Sequence, residues 1–375
     1  MNKKLLAGAI ILIAAILVIS FVSVHPAKQS EEAVRIGLIA PLTGPFADWG
    51  TSIQNGMQLA VQDTHHTFDV NYQDDGCAAR NGVSIAQEFF DVENIKLIMG
   101  PGCVEVLRPI APLADSNGAL LLSTGLLDDA IFAEHPSVLN FATQISAEAE
   151  YMAAYLESKQ VKRIATIYGT NDFGVEFSKR LPESLAKRGI TVSGTNSSNL
   201  DITDFRTIIL HLIQSKPDAI FIHQGEKQVG LFAKQLREMG YDVPIYGGYG
   251  TEADSVLNAG GSAVEGIEYT YPVNSADEAP EKLAFDKRYA EMFNTTPTAT
   301  SRFVYDGMMI LDKALDACAA SDTTCIRDYI RHIGKYSGIS GDMYFKEDGS
   351  LVRPFGIKKI EGGKFIWVTK DINIF

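Results

Sequence analysis

Four short stretches place glycine beside aromatic and polar residues in a way that suits small-molecule binding. They are Thr43-Gly44-Pro45-Phe46-Ala47-Asp48-Trp49-Gly50, Gly100-Pro101-Gly102-Cys103-Val104-Glu105, Asn171-Asp172-Phe173-Gly174 and Gly247-Gly248-Tyr249-Gly250. Each follows an apolar run that reads as a strand, and the first three open a helix. The free N–H groups at such a helix start attract anions and carboxylates. The Gly247 stretch lacks dinucleotide spacing and reads as a loop that lets a backbone come close to something. Taken singly, each loop has an ordinary explanation in capping and turn chemistry. Their recurrence at one topological place argues for a ligand, because α/β sheets bind at the carboxyl ends of their strands.

Catalytic signatures are missing from the sequence. It holds no G-x-S-x-G elbow, no H-E-x-x-H and no phosphate loop ending in Gly-Lys-Ser/Thr. Neither an enzyme nor a cofactor is expected. His65-His66 reads as a solvated helix end, and Asp74-Asp75 as a turn rather than a metal site. Lys+Arg 33 against Asp+Glu 46 gives a net charge of −13, which argues against nucleic-acid partners.

The elements that must carry these loops alternate. Strands are expected at Val34–Ala40, Phe68–Gln73, Ile95–Met99, Ala119–Ser123, Arg163–Tyr168, Ile190–Ser193, Ala219–His223 and Pro244–Tyr246. Helices are expected between them, over Gly50–Asp63, Val83–Val92, Glu105–Ser116, Ala147–Glu157, Val175–Lys187, Phe205–Gln214 and Lys227–Glu238. This rhythm predicts an α/β protein with parallel sheets covered by helices on both faces. It starts twice, at Arg35-Ile36-Gly37-Leu38-Ile39 and at Arg163-Ile164-Ala165-Thr166-Ile167, which predicts two doubly wound Rossmann-like lobes. The last ~100 residues carry too few strands for a third domain of ordinary size. A chain that returns to the first lobe and then the second accounts for them, ending in a hairpin that turns at Gly362-Gly363.

The N-terminus fixes the expected compartment. Leu5 to Val24 is a run of 20 uncharged, mostly apolar residues behind Lys3 and Lys4. That length suits a bilayer, and the residues after it make a poor cleavage site. Residues 1–32 are therefore expected to be a signal anchor, or else a cleaved export signal, with a polar tether. The globular part lies outside the cytoplasm, membrane-anchored by residues 5–24. Cys77, Cys103, Cys318 and Cys325 fit an oxidising compartment. Four cysteines allow three pairings. The local pairs 77–103 and 318–325 are the expected ones, against four buried free thiols.

The sequence resembles the periplasmic binding proteins of the leucine/isoleucine/valine type. The resemblance covers nearly all of residues 34–370. It rests on Ile36-Gly37-Leu38-Ile39-Ala40-Pro41-Leu42-Thr43-Gly44-Pro45, on Asn55-Gly56-Met57-Gln58-Leu59-Ala60-Val61, on Thr203-Asp204-Phe205, and on Lys216-Pro217-Asp218-Ala219-Ile220-Phe221. It implies the type 1 periplasmic-binding-protein fold, with two lobes joined by a three-strand hinge. The crossovers fall near Asn140–Thr143, Tyr269–Tyr271 and Ser340–Met343. Lobe 1 is then 33–141 with 272–341, and lobe 2 is 142–271 with 342–375. A Cys77–Cys103 disulfide is also implied. So is a role in binding a small organic solute, amino-acid-like or another carboxylate or amide, and delivering it to ABC permease subunits by cleft closure. A ligand-sensing receptor ectodomain of the same fold is the alternative.

The resemblance also implies a ligand-binding set: Trp49, Cys103, Val104, Gly125, Leu127, Phe173, Gly225, Tyr249 and Arg302. The head-group positions depart from the amino-acid pattern. Val104 and Leu127 stand where the family uses hydroxyl side chains for the ligand carboxylate. Tyr249 stands where it uses an acid for the ammonium. A buried ammonium without a carboxylate costs several kcal/mol. Leucine, isoleucine and valine are therefore expected to bind weakly. Trp49, Phe173 and Tyr249 suit a planar or apolar solute, and Arg302 could pair with a carboxylate.

Overall fold

Short apolar runs bounded by turn residues fold here as buried parallel strands, because helices cover both faces of the sheet. The computed structural model describes residues 33–125, 127, 130–273 and 279–370. The opening strand β1 (Val34–Ala40) shows the pattern, with its last five residues buried. It is followed in the chain by α1 (Ala47–Asp63), β2 (Phe68–Asp74), α2 (Ala79–Gln87), β3 (Leu97–Met99), α3 (Val104–Asn117), β4 (Leu120–Ser123), α4 (Ala130–Glu134) and β5 (Val138–Asn140). The five strands make one all-parallel sheet in the order β2-β1-β3-β4-β5.

The chain then crosses through Phe141–Gln144 into α5 (Ile145–Ser158). The rhythm resumes with β6 (Arg163–Gly169), α6 (Asp172–Ala186), β7 (Thr191–Ser198), α7 (Arg206–Gln214), β8 (Ala219–His223), α8 (Glu226–Glu238), β9 (Ile245–Gly247), α9 (Asp254–Gly260) and β10 (Glu268–Pro272). Next come α10 (Pro280–Phe293), α11 (Ala299–Leu315) and α12 (Thr323–His332), which return to the first sheet. Arg288 of α10 pairs with Asp63 at 2.7 Å, and Tyr305 of α11 donates to the same carboxylate at 2.8 Å. The remaining strands are β11 (Lys335–Gly338), β12 (Gly341–Phe345), β13 (Leu351–Val352), β14 (Phe355–Glu361) and β15 (Lys364–Thr369). The second sheet has the order β15-β14-β10-β9-β8-β6-β7, with β14 and β15 antiparallel at one edge. Gly362 and Gly363 turn that hairpin with φ of 59° and 68°, a conformation glycine adopts at little cost. Two α/β lobes and a returning tail are therefore present, as the sequence predicts.

Some details differ. The strand expected at Ile190–Ser193 runs on to Ser198, and the short β5 and α4 fill a stretch where no element was expected. The helix predicted from Gly50 starts at Ala47, which puts Trp49 inside its first turn. Near Ser340–Met343 the chain does not cross between sheets. Strands β11, β12 and β13 form a small antiparallel sheet of their own. Met343, Phe345 and Leu351 pack with Leu139, Phe141 and the β1 side chains, whereas Phe355 packs in the core of the second sheet. His65-His66 is a capped helix end as expected: both backbone N–H groups donate to Asp312, at 2.8 and 3.0 Å, and the His65 side chain is exposed. Asp74 serves the turn as expected, accepting the N–H groups of Leu42 and Gly76 at 2.8 and 2.9 Å.

Both expected disulfides are formed. Cys77–Cys103 ties the turn after β2 to the start of α3, and Cys318–Cys325 ties the end of α11 to α12; the Cα atoms are 5.7 Å apart in each. Among the described residues no helix is long and apolar enough to cross a membrane. The anchor expected at residues 5–24 lies outside the described residues.

Candidate functional site

Loops at the carboxyl ends of strands from both sheets face one cleft, with a cavity of about 90 Å³. The first sheet contributes Phe46 and Trp49 from α1, and Gly102, Cys103, Val104 and Glu105 from the start of α3. The second contributes Asn171 and Phe173 from the start of α6, His223 at the end of β8, Gln224 after it, Glu226 at the start of α8, and Tyr249 after β9. A second space of about 320 Å³ adjoins it and shares Trp49, Glu226, Tyr249 and Gly250.

Trp49 is fixed at two points. Its Nε1 donates to Thr300 Oγ1 of α11 at 3.0 Å. Its ring lies so close over Gly102 that a Cβ there would sit 2.3 Å from the indole, so only glycine fits beneath it. Phe173 stands edge-on to His223, with ring centroids 4.5 Å apart, and His223 also packs on Phe177 at 4.8 Å. Apolar surroundings thus hold His223 neutral: burial pushes its pKa down to about 3. Its Nε2 has no partner. The Tyr249 backbone N–H donates to Glu148 of α5 at 2.8 Å. Glu148 is fully buried, and burial raises its pKa to about 7.

The cleft is rich in carboxyl groups. Burial, with Asp48 adding a like charge, raises Glu226 to about 8. Burial also raises Glu105, whose carboxyl group accepts its own backbone N–H and the Asn171 side chain. Glu105 therefore occupies the helix start where a ligand anion would be received. Burial lifts the Tyr249 phenol as well, with Glu148 second. Below the disulfide, Asp75 rises to about 6, again through burial first. Among the described residues no group of three or more His, Cys, Asp or Glu side chains is placed to hold a metal ion.

Of the residues expected from the sequence, Trp49, Cys103, Val104, Phe173 and Tyr249 line the cleft together. Gly225 caps α8 between two lining residues, Gln224 and Glu226. The other three lie elsewhere. Gly125 supports the wall from behind, since a Cβ there would meet the Gly102 carbonyl oxygen at 2.0 Å. Leu127 is fully buried at the crossover, where its N–H donates to Thr143 and its carbonyl accepts from Ile145. Arg302 is drawn away by Asp286 of α10, with contacts of 2.8 and 2.9 Å. The ligand-binding set left out His223, Gln224 and Glu226, and also Glu105, although the stretch Gly100 to Glu105 is singled out in the sequence. All four sit within three residues of a β3 or β8 loop glycine, Gly102 or Gly225, so the rule that selected Trp49 and Phe173 would also have selected them.

A family model described as periplasmic binding protein matches residues 33–364. The Leu/Ile/Val-binding protein BraC3 of Rhizobium johnstonii is 25% identical over 351 residues, 91% of this chain and 95% of its own. Among solved structures, a leucine binding protein from Thermotoga maritima superposes with a TM-score of 0.84 at 22% identity, covering 90% of this chain and 98% of that one. A solute binding protein of an ABC transporter from R. palustris, in complex with benzoate, superposes at 0.82 with 18% identity, covering 90% and 95%. The chain belongs to the periplasmic binding protein family. It is a solute-binding protein located outside the cytoplasm, and not an enzyme.

Proposed function

We propose that the chain captures a small organic solute in the cleft between its two sheets and presents it, with the cleft closed, to the permease of an ABC importer. The observation that carries this reading is the pairing of walls: Trp49 and Val104 reach the space from one sheet, Phe173 and Tyr249 from the other. A solute touching both walls favours the closed state, because only closure gives it both sets of contacts. Trp49, Cys103, Val104, Phe173 and Tyr249 are the proposed contacts, with the Gly225 loop beside them. The wall side chains supply apolar area and ring faces suited to a planar or apolar body.

The lobes are taken as 33–141 with 272–352, and 142–271 with 353–370. The last boundary moves from 341/342 because Met343, Phe345 and Leu351 pack with the first sheet. Residues 5–24 are proposed to remain as an uncleaved anchor, on the length and apolarity of the run. Small-angle scattering with and without solute tests the mechanism. The radius of gyration should fall on binding. A bound solute with no contraction would overturn closure.

A further inference from the structure

The unpartnered polar atoms lining the cleft are mostly acceptors. Gln224 is only 8% exposed. Its amide nitrogen donates to the Ser198 carbonyl at 3.4 Å and to Ser198 Oγ at 3.0 Å, which fixes the amide's orientation. Its oxygen is left without a partner in the cleft wall. Glu105 Oε2 also has none. Glu226 stands at the junction of the two spaces, and Asp48 and Asp254 line the second, with Glu252 there already paired with Lys358. No lysine or arginine lines either space among the described residues.

A buried acceptor without a donor is costly, and a ligand that brings the donor relieves that cost. A carboxylate placed here would find the acceptor oxygens of Gln224 and Glu105 and no lysine or arginine to pair with. The helix start that would otherwise receive it is already taken by Glu105. A cation meets the opposite situation, since carboxylates favour it and it carries several N–H donors.

Resting on the solute-binding reading above, we propose that the cleft recognises an organic cation: a protonated amine or amidinium on an apolar or planar body that bears no carboxylate. Glu226, Glu105 and the Gln224 oxygen receive its N–H groups, and Trp49 and Phe173 flank its body. This narrows the solutes expected from the sequence by removing the carboxylates.

Calorimetry on the full chain tests it with four probes: phenethylamine, benzamidine, benzoate and leucine. One or both cations should bind at least about tenfold more tightly than benzoate or leucine. Glu226→Gln should weaken the cation by about tenfold or more, as expected when a charged partner is lost, with the melting temperature kept. Tighter binding of benzoate or leucine overturns the proposal and leaves the solute-binding reading standing. Failure of both cations to bind at millimolar concentration overturns it too. Native mass spectrometry of the protein from its host then separates the two readings. A co-purifying acid keeps the solute-binding reading alone, and no solute together with no binding of any probe removes both.

Discussion

Glu148 accepts the backbone N–H of Tyr249 at 2.8 Å from a fully buried position. The helix that receives the chain after its first crossover therefore holds the loop that carries Tyr249 to the cleft. The same carboxyl group accepts the Thr270 hydroxyl on β10, where the chain is about to cross back. One acid thus joins both crossovers to the binding wall, and its other oxygen has no partner.

Glu148 makes stability depend on pH with a definite sign. Its pKa is raised from 4.5 to about 7 by burial. Between these values the folded chain holds a proton that the unfolded chain has released. The stabilisation is full below about 4.5 and is lost as pH rises through about 7. Glu148→Gln keeps an acceptor for Tyr249 and cannot ionise. The variant should gain stability relative to the parent as pH rises from 4.5 to 7.5, by on the order of 3 kcal/mol at most. Urea titrations of both proteins across that range check it. A constant difference would mean that Glu148 does not titrate there.

His223 acts in the opposite direction. Burial lowers its pKa from 6.5 to about 3. Its contribution is present above 6.5 and is lost as pH falls toward 3, because the unfolded chain takes up the proton that the folded chain refuses. Phenylalanine should be accepted among Phe173, Phe177 and Phe221. His223→Phe should become more stable relative to the parent as pH falls from 6.5 to 4. An unchanged gap in melting temperature between those values would rule this out.

The two disulfides should differ in weight. Cys77–Cys103 closes a separation of 26 residues and Cys318–Cys325 one of 7. The chain-entropy relation gives about 3.5 kcal/mol for the first and about 2.4 for the second. Replacing each pair by alanine should therefore lower the unfolding free energy more for the 77/103 variant. That variant should also weaken solute binding, since Cys103 lines the cleft at the start of α3. Denaturant curves and calorimetry on both variants decide the order.

What could be read from the sequence follows the range of the interaction involved. Trp49 and Phe173 were visible because a strand-to-helix loop is a local pattern, and such loops all face one edge of a parallel sheet. The cysteine pairs were visible because each is close in sequence. Arg302 was misplaced because Asp286, sixteen residues earlier on another helix, captures its guanidinium. Leu127 was misplaced because position along an alignment does not show that its backbone pairs at the crossover with Thr143. The unpartnered oxygens of Gln224 and Glu105 depend on which donors fail to come near in three dimensions. No local pattern encodes such an absence. The small sheet β11-β12-β13 was hidden for a similar reason: strands as short as β13, Leu351–Val352, leave almost no periodicity to read.

Trp49 should carry a large share of the affinity for any flat or apolar solute. Its ring is held over Gly102 and by the bond to Thr300. Trp49→Ala should cost about 1–3 kcal/mol of affinity, roughly ten- to hundredfold. Trp49→Phe keeps a ring but loses the bond to Thr300, and should cost less. Gly102→Ala should displace the indole and weaken binding without removing any ligand contact of its own. Equal affinities for the parent and Trp49→Ala would place the ligand elsewhere.

The last prediction links the cation to protons. In the free protein burial raises Glu226 to about 8, with Asp48 the next cause. Much of the Glu226 population is therefore protonated at pH 7 and must lose its proton to pair with a cation. Binding should release protons, and affinity should rise as pH goes from 6 to 8 by up to about tenfold per unit. The other groups facing this place do not reverse the sign. Burial raises Glu105 and Tyr249 too, so any proton they yield adds to the release. An aliphatic amine stays charged throughout, since its ordinary pKa lies near that of lysine, about 10. Calorimetry of phenethylamine binding at pH 7 in two buffers of different ionisation enthalpy measures the released protons directly. Glu226→Gln should lower both the release and the slope. Proton uptake on binding, or an affinity that falls between pH 6 and 8, would show that the cation is not paired with Glu226.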